Sequence, residues 1–95
     1  MFLRSMNENN DENTFENSLE EERKASIILY NDDVNSFDFV IETLIEVCEH
    51  HPEQAEQCAW ITHYKGECQI KTGKRQEIYQ IYKDLLEKGL IVAIY

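Results

Sequence analysis

Glycine is scarce in this sequence: three residues in 95, at positions 66, 73 and 89. So few glycines leave no phosphate-cradling loop and no dinucleotide-binding turn, and no nucleophile elbow occurs either. Proline occurs once, as Pro52, so no Pro-rich linker divides the chain. Positive charge is also short, with nine Lys and Arg against nineteen Asp and Glu, a net of −10. Nucleic-acid phosphates would be repelled by that balance, which suits a cationic partner or ligand group instead. No apolar run approaches the roughly 20 residues that span a bilayer. Met1-Phe2-Leu3-Arg4-Ser5 leads into acidic, Asn-rich sequence without a secretory apolar region, so the expected compartment is the cytosol and no membrane is expected as partner. The three cysteines, Cys48, Cys58 and Cys68, are an odd set, read as free buried thiols rather than a disulfide framework.

What is present divides in two. Residues 1–24 carry seven acids against three bases and few large apolar side chains (Phe2, Leu3, Phe15, Leu19). Such a composition cannot offset the entropy of ordering, so a disordered N-terminal extension is expected there. Residues 25–95 have the patterning of one folded unit. Ala25–Tyr30 is β-prone, and Asn31-Asp32-Asp33 ends it with turn residues. Phe37, Val40, Ile41, Leu44 and Cys48 recur at three- and four-residue steps, predicting a helix over 36–49 with Ser36 as N-cap. Pro52 opens a second helix whose inward stripe is Ala55, Cys58, Ala59 and Thr62, ending near Gly66. Glu67–Lys71 alternates as a strand, and Thr72-Gly73 reads as a turn. Ile78, Ile81, Tyr82, Leu85 and Leu86 mark a third helix closed at Lys88-Gly89, and Leu90–Tyr95 is a final strand. The order β-α-α-β-α-β fits an α+β two-layer sandwich: a three-stranded, mainly antiparallel sheet with three helices on one face.

Three groups of residues could carry chemistry. Asn31, Asp32, Asp33 and Asn35 crowd a strand-to-helix turn. Such residues ordinarily serve as turn formers and caps, yet their carbonyl and carboxylate oxygens would also receive an ammonium group. His63, at the end of the second helix, is either a solvated residue or, when neutral, a hydrogen-bond acceptor for a cation. Cys48, His51, Cys58 and His63 have the residue types of a tetrahedral zinc site, but Cys48 and Cys58 fall on apolar stripes, where buried thiols explain them with fewer assumptions. Adjacent Asp32 and Asp33 resemble an acid/base pair only superficially, since neighbours in a turn point apart. No enzyme and no cofactor are implied. A small structural or ribosome-associated interaction module is the competing reading, because a ribosomal stalk protein has a similar order of elements in its C-terminal domain.

Ile27-Ile28-Leu29-Tyr30-Asn31-Asp32-Asp33, then Phe39-Val40-Ile41, then His63-Tyr64-Lys65-Gly66 resemble, in order and separation, the ClpS family of Clp protease adaptors. The resemblance covers about residues 26–95 and implies the same βααβαβ fold. It also implies recognition of N-degrons, proteins whose first residue is Leu, Phe, Tyr or Trp. Delivery would be to a hexameric unfoldase of the ClpA or ClpC type that feeds ClpP. Carried over by position, Asn31 and His63 would bond the substrate's α-amino group, with Asp32 assisting. Asp33, Asn35 and Phe37 would lie along the peptide backbone and pocket rim. Val40, Ala59, Thr62 and Leu90 would line the side-chain pocket. Ser36, Ala59 and Thr62 stand where the family often has Pro, Met and Val, and the smaller Ala59 implies a roomier pocket unless Phe37 fills it. The N-terminal extension would be the segment that the unfoldase engages.

Overall fold

The computed structural model describes residues 23–95. Strand β1 (Lys24–Tyr30) is followed by helices α1 (Phe37–Cys48) and α2 (Pro52–Lys65), strand β2 (Glu67–Lys74), helix α3 (Arg75–Glu87) and strand β3 (Val92–Ile94). The sheet order is β2-β1-β3, with both pairings antiparallel. The expected α+β architecture is therefore the observed one. The extension expected over 1–24 lies outside the described residues up to position 22, while Lys24 already belongs to β1.

Burial alternates along β1, sending Ala25, Ile27 and Leu29 inward. Leu44 and Cys48 of α1, Ala55 and Cys58 of α2, and Ile78 and Leu85 of α3 join them in one core. Burying an Ile or Leu side chain contributes roughly 1.5–3 kcal/mol, and this one-sided core fixes which face of each helix looks down. Ser36 caps α1 as expected, its Oγ accepting from the Phe39 N–H at 3.0 Å. Pro52 occupies the first turn of α2, where its missing N–H costs nothing.

Two boundaries differ from expectation. Thr72 and Gly73 are not a turn: they continue β2, paired with Ser26 and Ala25. A hydrogen bond between the Ser26 and Thr72 hydroxyls at 2.9 Å reinforces that pairing, so the ladder outweighs the local turn preference. The last strand is also shorter than the apolar run suggests. Leu90 instead closes α3: Gly89 turns at φ +91° and bonds Leu86 O, while Leu90 N–H bonds Leu85 O at 3.2 Å. This is a Schellman ending, whose following apolar residue packs back onto the helix.

A candidate amine-binding cavity

The turn after β1 and the end of α2 are 32 positions apart in sequence but are joined at the sheet's end. Tyr30 pairs with Glu67, and one residue further Asn31 N–H donates to Gly66 O at 3.0 Å. Gly66 is also the C-cap of α2, at φ +92°, with its N–H bonded to Thr62 O at 2.9 Å. Glycine adopts that left-handed backbone without the penalty of a Cβ. A single residue thus holds the Asn31 turn against the last turn of the helix that carries His63.

Asp32 organises the turn. Its Oδ1 accepts from Val34 N–H (2.8 Å) and Asn35 N–H (2.7 Å), and its Oδ2 accepts from Asn35 Nδ2 at 3.1 Å. Partial burial pushes the carboxyl up. The hydrogen bonds from Asn35 backbone, Asn35 side chain and Val34 together outweigh burial, so the net pKa lies below the ordinary value. Asn35 Nδ2 also donates to Gly89 O at 3.0 Å, lashing the turn to the α3–β3 connection. Asp32 is consequently a carboxylate at neutral pH, held in place by its neighbours.

Between the turn and α2 lies a cavity of about 370 Å³. Asn31, Asp32 and His63 stand on its polar rim, and Asn35 and Phe37 adjoin them. Val40 from α1 and Ala59 and Thr62 from α2 line its apolar part. Thr62 spends its hydroxyl on Cys58 O at 2.7 Å, the back-bond available to a helical threonine, so its methyl is what remains for the cavity. Of the ten residues singled out from the sequence, the structure brings eight to this cavity. The other two lie apart from it: Asp33 is exposed and does not line it, since its neighbour Asp32 takes the turn's inward bonds. Leu90 is buried in the core at the end of α3, 3% exposed, and does not line the cavity either.

Leu29, Tyr30 and Trp60 also line the cavity, beyond the residues that the sequence singles out. Leu29 follows from the alternation of β1, whereas Tyr30, whose side chain that alternation sends to the other face, adjoins the cavity as the last strand residue before the turn. Trp60 lies three positions before His63, a helical step that sets both on neighbouring parts of α2. The hydrogen bond between the Tyr30 and Tyr95 hydroxyls (3.0 Å) raises the Tyr30 phenol to about 12.

The four zinc-type residues do not assemble. Cys48 and Cys58 are buried in the core, His51 caps α2 and His63 is exposed at the cavity. Among the described residues no three His, Cys, Asp or Glu side chains converge. A second cavity, of about 670 Å³, is rimmed by Arg23, Lys74 and Arg75 with Tyr79 and Ile94. Its cations would repel an ammonium group, whereas the first cavity offers acceptors and a negative charge. No helix among the described residues is long and apolar enough to cross a membrane.

A family model described as ATP-dependent Clp protease adaptor protein ClpS matches residues 20–90. The ATP-dependent Clp protease adapter protein ClpS of Nitratidesulfovibrio vulgaris is 34% identical over 64 residues, which cover 65% of this chain and 64% of that protein. Its namesake from Oleidesulfovibrio alaskensis is 39% identical over 51 residues, covering 54% and 49%. The chain thus spans about half to two thirds of the length of these curated relatives. Among solved structures, Agrobacterium tumefaciens ClpS2 bound to L-phenylalaninamide superposes with a TM-score of 0.69 at 19% identity, over 77% of this chain and 95% of that one.

Proposed function

The chain belongs to the ClpS family, and on that footing we propose that it is a non-enzymatic adaptor that captures proteins by a free N-terminus bearing a large apolar first residue. The observation that carries this is the first cavity: acceptors Asn31, Asp32 and His63 at the rim of an apolar hole. An α-ammonium brings three N–H donors and one positive charge, which this rim can receive, as in the amine-capture mode of peptide recognition. The hole below takes the first side chain, and its burial favours Leu, Phe, Tyr or Trp over small or charged residues. The ligand of the structural relative, L-phenylalaninamide, has the same two parts, a free α-amine and a benzyl group. Thr62, the one serine or threonine of the lining, has its hydroxyl committed to Cys58 O.

The captured protein is handed to a Clp unfoldase of the ClpA or ClpC type coupled to ClpP. The acidic segment 1–22, which stops short of β1, is the part the unfoldase engages. Removal of that segment abolishes delivery and leaves peptide binding intact; equal loss of both overturns the division of labour. The cavity itself is tested by fluorescence anisotropy with a Leu-initial peptide, its acetylated form and a Met-initial control. Charge-assisted hydrogen bonds are worth roughly 1.5–3 kcal/mol, so acetylation lowers affinity by at least about tenfold. Equal affinity for the free and acetylated peptides overturns the proposal.

A further inference from the structure

The ring geometry of the cavity points to an aromatic first residue as the preferred ligand, with Trp60 as the residue that sets the preference. This deepens the amine-capture proposal and rests on it. Phe37 and Trp60 bring two aromatic rings together at one small cavity. Trp60 does not hang free at its mouth. Its ring meets Phe37 at 4.7 Å with a 57° tilt, linking the start of α1 to α2. It lies flat on Tyr64, one helical turn onward, at 5.1 Å and 9°. His63 approaches the same ring edge-on at 6.2 Å, so the indole stands next to the amine acceptor.

A ring held between two others is pre-organised, and a ligand that contacts it spends little entropy on ordering it. Aromatic pairs gain from tilted and edge-to-face contacts beyond the area they bury, which a leucyl side chain cannot match. Ala59 adds to the discrimination. It presents only a methyl group to the same cavity, so a larger planar side chain makes more dispersion contacts there than a leucyl one. Tyr64 is 74% exposed and does not line the cavity; its part is to position the indole.

The test uses the full chain and dye-labelled peptides differing only in the first residue: Phe, Trp or Leu, with an acetylated Phe control. The native chain binds the Phe- and Trp-initial peptides about 2- to 10-fold more tightly than the Leu-initial one. Trp60→Leu brings that ratio close to one. Tyr64→Ala lowers the ratio by freeing the indole, and it serves as the second variant should Trp60→Leu fold poorly. Trp60 is the sole tryptophan, so its own emission reports occupancy independently. Equal or tighter binding of the Leu-initial peptide by the native chain overturns this inference alone, as does a ratio unchanged in both variants. Failure of every free-amine peptide to bind, or equal binding of the acetylated control, overturns the amine-capture reading and this inference with it.

Discussion

Replacing Asp32 separates its two tasks, shaping the turn and offering charge. In Asp32→Ala the Val34 and Asn35 N–H groups and Asn35 Nδ2 lose their acceptors at 2.8, 2.7 and 3.1 Å. A buried site would lose roughly 1.5–3 kcal/mol per charge-assisted bond, but water reaches these donors, so a total of about 1–2 kcal/mol is expected, comparable to losing a helix cap. Asp32→Asn keeps an oxygen for the two backbone donors and turns an NH₂ toward Asn35 Nδ2. That side chain cannot flip without giving up Gly89 O, so one bond is lost rather than three. The stability loss is therefore about half that of the alanine variant, while the missing negative charge weakens binding of a free-amine peptide in both variants. The carboxyl's folded pKa lies below its unfolded value. Its contribution is therefore complete above the ordinary carboxylate pKa and is lost as pH falls through the lowered one. Urea denaturation of the three proteins across the acidic range measures this: the gap between native and alanine chains narrows as pH drops. Coincident curves at neutral pH, or a gap that is independent of pH, would refute the role given to this carboxylate.

Gly66→Ala meets no atom within 4 Å of the added Cβ, so its cost is the backbone conformation alone, about 1 kcal/mol, read as a lower Tm. Peptide affinity falls with it, because Gly66 joins the two halves of the rim. Ser36→Ala removes the cap of α1 and costs about 1 kcal/mol in the same assay. Burial pushes the Cys48 thiol up to about 11 despite Lys71, and burial followed by the neighbouring Cys68 pushes Cys58 up to about 12. Both stay protonated at neutral pH, so mass spectrometry after mild alkylation of the native chain finds Cys68 modified first.

The parts of the fold legible in the sequence are those governed by local periodicity and capping. The stripe Ala55, Cys58, Ala59 and Thr62 is the buried set of α2, and Ser36, Pro52 and Gly66 mark helix ends where expected. Long-range pairing was not legible. Thr72-Gly73 looks like a turn until β1 is known to extend to Lys24 and pair with it. Leu90 looks like a strand residue because an apolar position after a C-cap glycine and a β-prone one have the same composition. At the site, the polar rim could be read because Asn, Asp and His are conspicuous. Trp60 is not legible in this way, because its position on α2 lies off the apolar stripe and its contact with Phe37 comes from another helix.

His50 shows how a residue far from the rim can set its geometry. From Lys24↔Lys74 to Ile27↔Lys71 the β1–β2 ladder keeps one register, then Ile28 pairs with Gln69, leaving Ile70 as an extra residue in β2. Continued without that bulge, the ladder would set Asn31 against Glu67. With it, Asn31 meets Gly66, a displacement of about 3.3 Å along the strand. The bulge carbonyl, Ile70 O, is bonded by His50 Nε2 at 2.7 Å, and His50 is 4% exposed. A carbonyl requires a donor, so Nε2 carries the proton, and Nδ1 has no partner among the described residues. His50→Ala strips that carbonyl of its donor and costs about 1–3 kcal/mol. It also loosens the register that brings Asn31 to the α2 cap, so affinity for a free-amine peptide falls although His50 does not line the cavity. His50→Gln, which retains a side-chain N–H donor, restores part of both. Binding measured well below the unfolding temperature separates the two effects: unchanged peptide affinity in folded His50→Ala shows that the bulge holds its register without the imidazole.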